Sequence, residues 1–255
     1  NSGARGHAAQ RIVVAPGTTA VAVAPKGGMG YTGSVALAHD GRILTWGRDL
    51  GAYDSSQPLS DANSIPTANG ITGAVDIAAA LQTHVLMADG TVLGWGYNAS
   101  GQIGSGSTTH TYQPERLHNL PPVQALATSE GHGLALTRDG RVIAWGENTA
   151  GQLGLGDHQN RFQPAEVPGM NNVTAIAAGT QFSVALKTDG TVWGWGANLQ
   201  IAGAANGPVQ IPGLAAAGAD KGGPGGAGIS KYIAPTALFW FRWSALATWL
   251  TGAWY

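Results

Sequence analysis

An all-β, propeller-like array of four-stranded blades is the fold class that this 255-residue sequence predicts. Three observations predict it. A unit built on Asp-Gly followed by Trp-Gly occurs four times. Its spacing is steady, with Asp40, Asp89, Asp139 and Asp189 standing 49, 50 and 50 residues apart. The runs around each Asp-Gly are apolar almost throughout, which is the pattern of strands buried on both faces. A repeat of this length, with strands stacked on both sides, makes a blade.

The elements follow in order. Each Asp-Gly between two apolar runs predicts a hairpin, because both central residues are expected at positive φ and Gly takes it freely. The strands before the turn are Ser34–Ala38, His84–Ala88, His132–Arg138 and Phe182–Thr188. Those after it are Arg42–Trp46, Thr91–Trp95, Arg141–Trp145 and Thr191–Trp195. An earlier strand is expected at Ala20–Ala24, Val75–Ala79, Val123–Ala127 and Val173–Ala178. A more polar fourth strand is expected at Pro114–Leu117 and Pro164–Val167. Pro208–Leu214 echoes Pro164–Met170 and is expected to open a degenerate fifth unit. The residue before each Trp is small (Thr45, Gly94, Ala144, Gly194), which leaves room for a neighbour beside the indole.

Composition narrows the function classes. Charged residues make up 11% and the net charge is −1, so nothing here matches the electrostatic footprint of a nucleic-acid binder. Cysteine is absent, which removes disulfides, thiolate metal sites and cysteine nucleophiles. Low charge with much Ala and Gly favours an extracellular or periplasmic, bacterial-like protein. The chain begins at Asn1 and not Met, which suggests a removed leader or a trimmed start.

The repeat resembles the regulator of chromosome condensation family. The third unit carries the resemblance: Ser129-Glu130-Gly131-His132, Asp139-Gly140, Trp145-Gly146-Glu147-Asn148 and Gly151-Gln152-Leu153-Gly154. The resemblance covers 20–212 and implies a propeller, in the family normally seven-bladed. This chain has four clear units, so an incomplete or shortened array is expected. Corner histidines are irregular: His132 is in place, Phe182 replaces it in the fourth unit, and His84 sits in a shifted corner. Relatives of this kind include an exchange factor for a small GTPase, an inhibitor of β-lactamases and a plant ultraviolet-B receptor. The resemblance therefore implies protein binding more than any one chemistry.

A search for chemistry returns little. Gly28–Gly33 matches the dinucleotide glycine pattern but leads into a strand, so no helix N-terminus is available for a phosphate. The histidines have no short metal-ligand spacing. No general acid/base pair of carboxylates stands out. No enzyme activity, cofactor or metal is expected. Gly41, Gly90, Gly140 and Gly190 are assigned to turns, His132 to a corner, and Trp46, Trp95, Trp145 and Trp195 to core packing.

Recognition of a protein partner is the expected function. Side chains after Trp-Gly vary on a constant frame: Arg48, Asp49 and Tyr53; Tyr97 and Asn98; Glu147 and Asn148. His110, Tyr112, His158 and Arg161 lie in neighbouring loops, and Tyr and Arg are common interface anchors. The chain ends set the alternative. Residues 1–19 form an arm in which Arg11–Val14 could complete a blade, and 213–230 is a Gly-rich linker. Residues 231–255 are apolar and aromatic, with Trp240, Trp243 and Trp249 among them. That segment could span a membrane from 233 onward, cap a blade or bind a partner, or be non-native sequence. The alternative function is a structural subunit of a membrane or extracellular assembly held by this segment, and self-association is a further partner class.

Overall fold

A computed structural model describes residues 19–28, 31–47, 67–68, 70–197, 199, 204 and 207–215. Within them the chain forms four antiparallel four-stranded sheets, each in simple chain order. The first blade holds β1 (Ala20–Gly28), β2 (Tyr31–Ala38), β3 (Ile43–Gly47) and β4 (Thr67–Ala68). The second holds β5 (Ala74–Ala79), β6 (Gln82–Met87), β7 (Val92–Gly96) and β8 (Thr111–Arg116). The third holds β9 (Val123–Thr128), β10 (His132–Thr137), β11 (Val142–Gly146) and β12 (Arg161–Glu166). The fourth holds β13 (Val173–Ala178), β14 (Phe182–Lys187), β15 (Thr191–Gly196) and β16 (Val209–Ala215). The expected blades are therefore present. The outer strands begin earlier than expected, and their prolines are tolerated because an edge strand leaves one row of backbone groups unpaired.

One expectation about the chain's course is corrected. Pro208–Leu214 does not open a fifth unit: β16 pairs with β15 and completes the fourth blade. The segment resembles 164–170 because both are outer strands. The Arg11–Val14 arm, the 213–230 linker beyond Ala215 and the 231–255 segment lie outside the described residues.

The Asp-Gly turns also differ in kind. Only the glycines have positive φ: +78° at Gly41, +89° at Gly90, +80° at Gly140 and +82° at Gly190. The aspartates do not. In the third blade Gly140 N–H donates to Thr137 O (3.0 Å), and Thr137 N–H donates to Arg141 O (2.9 Å). This is a three-residue loop, a type I turn followed by a left-handed Gly, and not a two-residue turn. The Asp side chain supplies the rest. Asp89 Oδ1 accepts Thr91 N–H at 2.8 Å and Asp189 Oδ1 accepts Thr191 N–H at 2.9 Å.

The first strand of each later blade packs on the first and second strands of the blade before it. The apolar core lies in these boundaries. One cluster joins Val35, Leu37 and Ile43 to Ala74, Ile77, Val85 and Trp95. The next joins Leu86, Val92 and Leu117 to Val123, Ala135, Ile143 and Trp145. The third joins Leu134, Leu136 and Leu153 to Val173, Ile176, Ala185 and Trp195. A backbone bond repeats at each boundary. Ala74 N–H donates to Gly41 O (3.0 Å), Val123 N–H to Gly90 O (3.3 Å) and Val173 N–H to Gly140 O (2.9 Å). The turn glycine is thus both the hairpin hinge and the acceptor for the next blade. A Cβ on Gly41 would stand 2.8 Å from Gly73 N.

A polar relay crosses the second and third boundaries. Gln82 Nε2 donates to Ser129 O (2.8 Å). Ser129 Oγ lies 2.8 Å from His132 Nδ1, and His132 Nε2 lies 2.8 Å from Ser183 Oγ. Ser183 Oγ donates onward to Gln152 O (2.8 Å), so it accepts from His132, which is the neutral Nε2–H form. The register places Gln82, His132 and Phe182 opposite Gly96, Gly146 and Gly196. The corner of the second blade is therefore Gln82. His84 stands two residues further along, fully buried between Thr128 Oγ1 and Ile103 O. Burial pushes His84 down to about 4 and His132 down to about 3.

These features give two predictions. Gly140→Val forces a β-branched residue to φ +80° against Asn172 and Val173 and should lower stability by roughly 1–3 kcal/mol. Asp139→Asn keeps an acceptor for the turn and should leave the denaturation midpoint nearly unchanged. Equal effects of the two would refute this account of the turn. The second concerns pH. Both buried histidines have depressed pKa values, so their contribution is present above the ordinary value of 6.5 and is lost as pH falls toward about 3–4. The slope is at most about 1.4 kcal/mol per pH unit for each histidine. His132→Gln, which copies Gln82, should fold at pH 7 and lose about half of that slope between pH 6.5 and 4. An unchanged slope in chemical denaturation would exclude His132 as one of the titrating groups. Asp76, whose carboxyl burial pushes up, acts in the opposite sense and is common to both proteins.

Candidate functional site

At the end of the second and third blades opposite the Asp-Gly turn, the chain leaves Trp-Gly and makes a long loop to the outer strand. Gly146 has φ +101°, and a Cβ there would lie 2.5 Å from Gly131 O. Only glycine permits that approach, which lets Glu147 N–H donate to Gly131 O at 2.8 Å. The next residue locks the loop. Asn148 is fully buried, its Nδ2 donates to Asp157 O (2.8 Å), and its Oδ1 accepts Leu153 N–H (2.9 Å). In the second blade Asn98 does the same, with Nδ2 donating to Ser107 O (2.9 Å) and Oδ1 accepting Ile103 N–H (2.9 Å). Asn98 and Asn148 were grouped with the variable recognition positions on sequence grounds. Both are internal struts.

The Gly-Gln-Leu-Gly frame has a division of labour. Gln152 Oε1 accepts Ala150 N–H (2.8 Å), Leu153 is fully buried, and a Cβ on Gly154 would stand 2.8 Å from the Trp195 indole. The loop of one blade thus lies against the tryptophan of the next. In the second blade the contact is also polar: Trp145 Nε1 donates to Gln102 O at 3.0 Å. Trp145 and Trp195 are fully buried and Trp95 nearly so.

The outward side chains differ between loops that share this frame. Tyr97 stacks on His110 with ring centroids 4.6 Å apart, and His110 Nδ1 accepts Asn98 N–H at 2.9 Å. In the third blade the same backbone group donates to Asn160 Oδ1 (2.9 Å), so no ring is needed there. Glu147 Oε1 accepts Thr149 Oγ1–H, and His158 Nδ1 lies 3.2 Å from Thr149 O. Arg161 donates to Asp157 Oδ2 at 2.6 Å, which holds that carboxyl below the usual range. Phe162 is 43% exposed and lies against Gly101 of the preceding blade, while Gly106 N–H donates to Phe162 O (2.7 Å). Phe162 was not singled out on sequence grounds, since nothing in the outer-strand pattern marks which side chain faces out.

The other expected site residues fall as follows. Arg48, Asp49, Tyr53, Trp240, Trp243 and Trp249 lie outside the described residues. Tyr112 stands in β8 and Trp46 in β3. At the opposite end of the second blade, a shallow groove of about 450 Å³ is lined by Met87, Asp89, Thr91, Leu93 and Arg116. Asp89 is committed there to Thr91 N–H.

Ser129, His132 and Ser183 have the spacing of a nucleophile and its base, but exposures of 7%, 0% and 0% close the group to any substrate. Among the described residues no group of three or more His, Asp or Glu could hold a metal. No helix among them is long and apolar enough to cross a membrane.

The comparisons bear on this architecture. The sequence profile of the regulator of chromosome condensation (RCC1) repeat matches residues 89–136 and 139–186, and a second profile of the same repeat matches 123–152 and 173–200. The secretion-regulating guanine nucleotide exchange factor of Mus musculus is 26% identical over 129 residues, which is 42% of this chain and 28% of that protein. The probable E3 ubiquitin-protein ligase HERC4 of Rattus norvegicus is 29% identical over 115 residues, 43% of this chain and 11% of that protein. Yeast RCC1 (Prp20), solved bound to Kap60, superposes with a TM-score of 0.62 at 21% identity, covering 72% of this chain and 45% of that one. The chain thus spans less than a third of these two curated relatives and under half of the solved one. With matching repeats, matching blades and the Gly-Gln-x-Gly loop seated on the next tryptophan, residues 89–200 carry repeats of the RCC1 type.

Proposed function

We propose that this chain is a non-enzymatic scaffold that binds a protein partner through the rim formed by residues 97–110 and 147–162. One observation carries the reading. The frame of these loops is internal and repeated (Asn98 and Asn148, Gln102 and Gln152, Ile103 and Leu153), while the outward side chains are not repeated. A rim built this way can change its contact chemistry without touching the fold. Tyr97 stacked on His110, and Phe162 held against Gly101, are aromatic anchors already fixed in place. Little side-chain freedom remains to be lost on binding.

Two measurements test the proposal. For any partner isolated with the chain, Tyr97→Ala combined with Phe162→Ala should weaken binding at least about tenfold, the loss expected for anchor residues. Thr188→Ala, on the exposed turn at the far end, should leave affinity unchanged. Loss on the Thr188 side alone would move the site off the rim. Capture that survives the rim variants but fails without residues 231–255 would favour the accessory-subunit reading.

The second measurement concerns exchange activity. The mouse relative is named as an exchange factor, but this chain spans 28% of it. Release of a fluorescent GDP analogue from small GTPases should not accelerate when this protein is added. Accelerated release would replace the scaffold reading with a catalytic one.

A further inference from the structure

The acceptor pattern for N-linked glycosylation, Asn-x-Ser/Thr with x other than Pro, occurs twice: Asn98-Ala99-Ser100 and Asn172-Val173-Thr174. The pattern is short and does not by itself mark a site, but the fold treats the two asparagines in opposite ways.

Asn98 has no amide to give. It is fully buried at the base of the rim, and Nδ2 uses both its protons, one on Ser107 O (2.9 Å) and one on Thr109 O (3.0 Å). A sugar on that nitrogen would replace one of the two N–H groups and fill the space in which the loop closes. A chain modified at Asn98 therefore cannot complete the second-blade loop.

Asn172 lies at the opposite end, on the turn that leads into β13, and is exposed. Its backbone is committed to the fold. Its carbonyl accepts Thr188 N–H at 2.7 Å, the bond that Pro122 O accepts from Arg138 and Gly73 O from Ala88 in the two preceding blades. Its φ is +55°, a left-handed conformation that Asn tolerates better than most side chains. Its side chain has no such duty. Gly73 and Pro122 hold the same place, so the bond asks nothing of the side chain. No hydrogen bond holds the Asn172 amide among the described residues. Gly73 shares the left-handed backbone at φ +80°, and a Cβ on it would meet nothing within 4 Å, so this position of the repeat opens outward. Two residues on, Thr174 supplies the hydroxyl that the pattern requires. Thr174 is exposed, and its Oγ1 donates to Leu186 O at 3.2 Å within its own blade.

We propose that Asn172 is a site of N-linked glycosylation in a chain that enters a secretory compartment. Asn172 Nδ2 attacks C1 of the first sugar of a lipid-pyrophosphate-linked oligosaccharide. The bond from C1 to the pyrophosphate oxygen breaks, the lipid pyrophosphate leaves, and one amide proton passes to a base of the transferase. The product keeps one N–H on Nδ2. Transfer acts on the chain before it folds, so both patterns meet the enzyme and the fold selects the product that survives. A sugar at Asn172 covers the turn end of the third and fourth blades and leaves the rim bare. The proposal does not depend on what the rim binds.

Expression of the full chain behind a cleavable secretion signal in a eukaryotic cell tests it. Soluble protein from the lumen and the medium is pooled, and its mass and peptide map are taken before and after peptide N-glycosidase, which leaves an aspartate wherever a glycan stood. The parent should carry a single glycan, mapped to position 172. Thr174→Ala leaves Asn172 in place and should abolish the glycan. Asn172→Gly, which copies Gly73, should abolish it as well and keep the circular dichroism of the enzyme-treated parent. Soluble parent without sugar at position 172, a glycan on Asn98 in that soluble protein, or a glycan at 172 that survives Thr174→Ala would each overturn the proposal.

Discussion

Among the described residues, the apolar clusters that bury the tryptophans form where two sheets meet. Each apolar cluster takes its members from two adjacent blades, and none lies within one. A single four-stranded sheet has two faces and no interior, so its strands become buried on both sides only by stacking. The continuous apolar runs around each Asp-Gly follow from this. An alternating strand would place polar side chains at a boundary where nothing could hydrate them.

The same requirement explains why the repeat places its glycines where it does. Gly154 allows the loop of one blade to lie flat on Trp195 of the next, and Gly146 allows the chain to leave the strand against Gly131. A Cβ at either position would push the neighbouring element away by part of an ångström. Close-packed sheets resist such a shift. The polar groups at these boundaries are then constrained as well. Asn98, Asn148, Gln102 and Gln152 are buried because they bond backbone groups that the loops would otherwise leave unpaired.

How much of this was legible in the sequence depends on whether a residue acts within its own blade. The blades, the turn glycines and the buried tryptophans could be read from period and local pattern, because strand and hairpin preferences are local. The turn type could not. Asp before Gly fits a two-residue turn and a three-residue loop equally well, and the register beyond it decides. His84 was misplaced for the same reason: a corner is defined by its pairing with the Gly after Trp, which the sequence does not display. Asn98 and Asn148 read as outward residues in the sequence because polar loop positions usually face solvent. Only the close return of residues 107 and 157 turns them inward. Phe162 escaped notice because its support, Gly101, belongs to another blade.

The second and third boundaries show how one residue redistributes these interactions. Opposite Trp145 stands Gly133, and opposite Trp195 stands Ser183. With no hydroxyl at Gly133, the indole N–H of Trp145 reaches Gln102 O at 3.0 Å. At the next boundary Ser183 Oγ takes Gln152 O at 2.8 Å, and Trp195 Nε1 is left with no partner among the described residues. Gln152 Nε2 is also unpartnered, whereas Gln102 Nε2 donates to Glu130 O at 3.2 Å. An unpaired buried donor costs about 1–3 kcal/mol. The offset is the bond from His132 to Ser183, which Gly133 could not make. The third boundary thus exchanges an indole bond for a histidine relay. That relay holds only while His132 stays neutral, so its geometry couples a proton to the contact between the third and fourth blades, as His84 beside Thr128 does between the second and third.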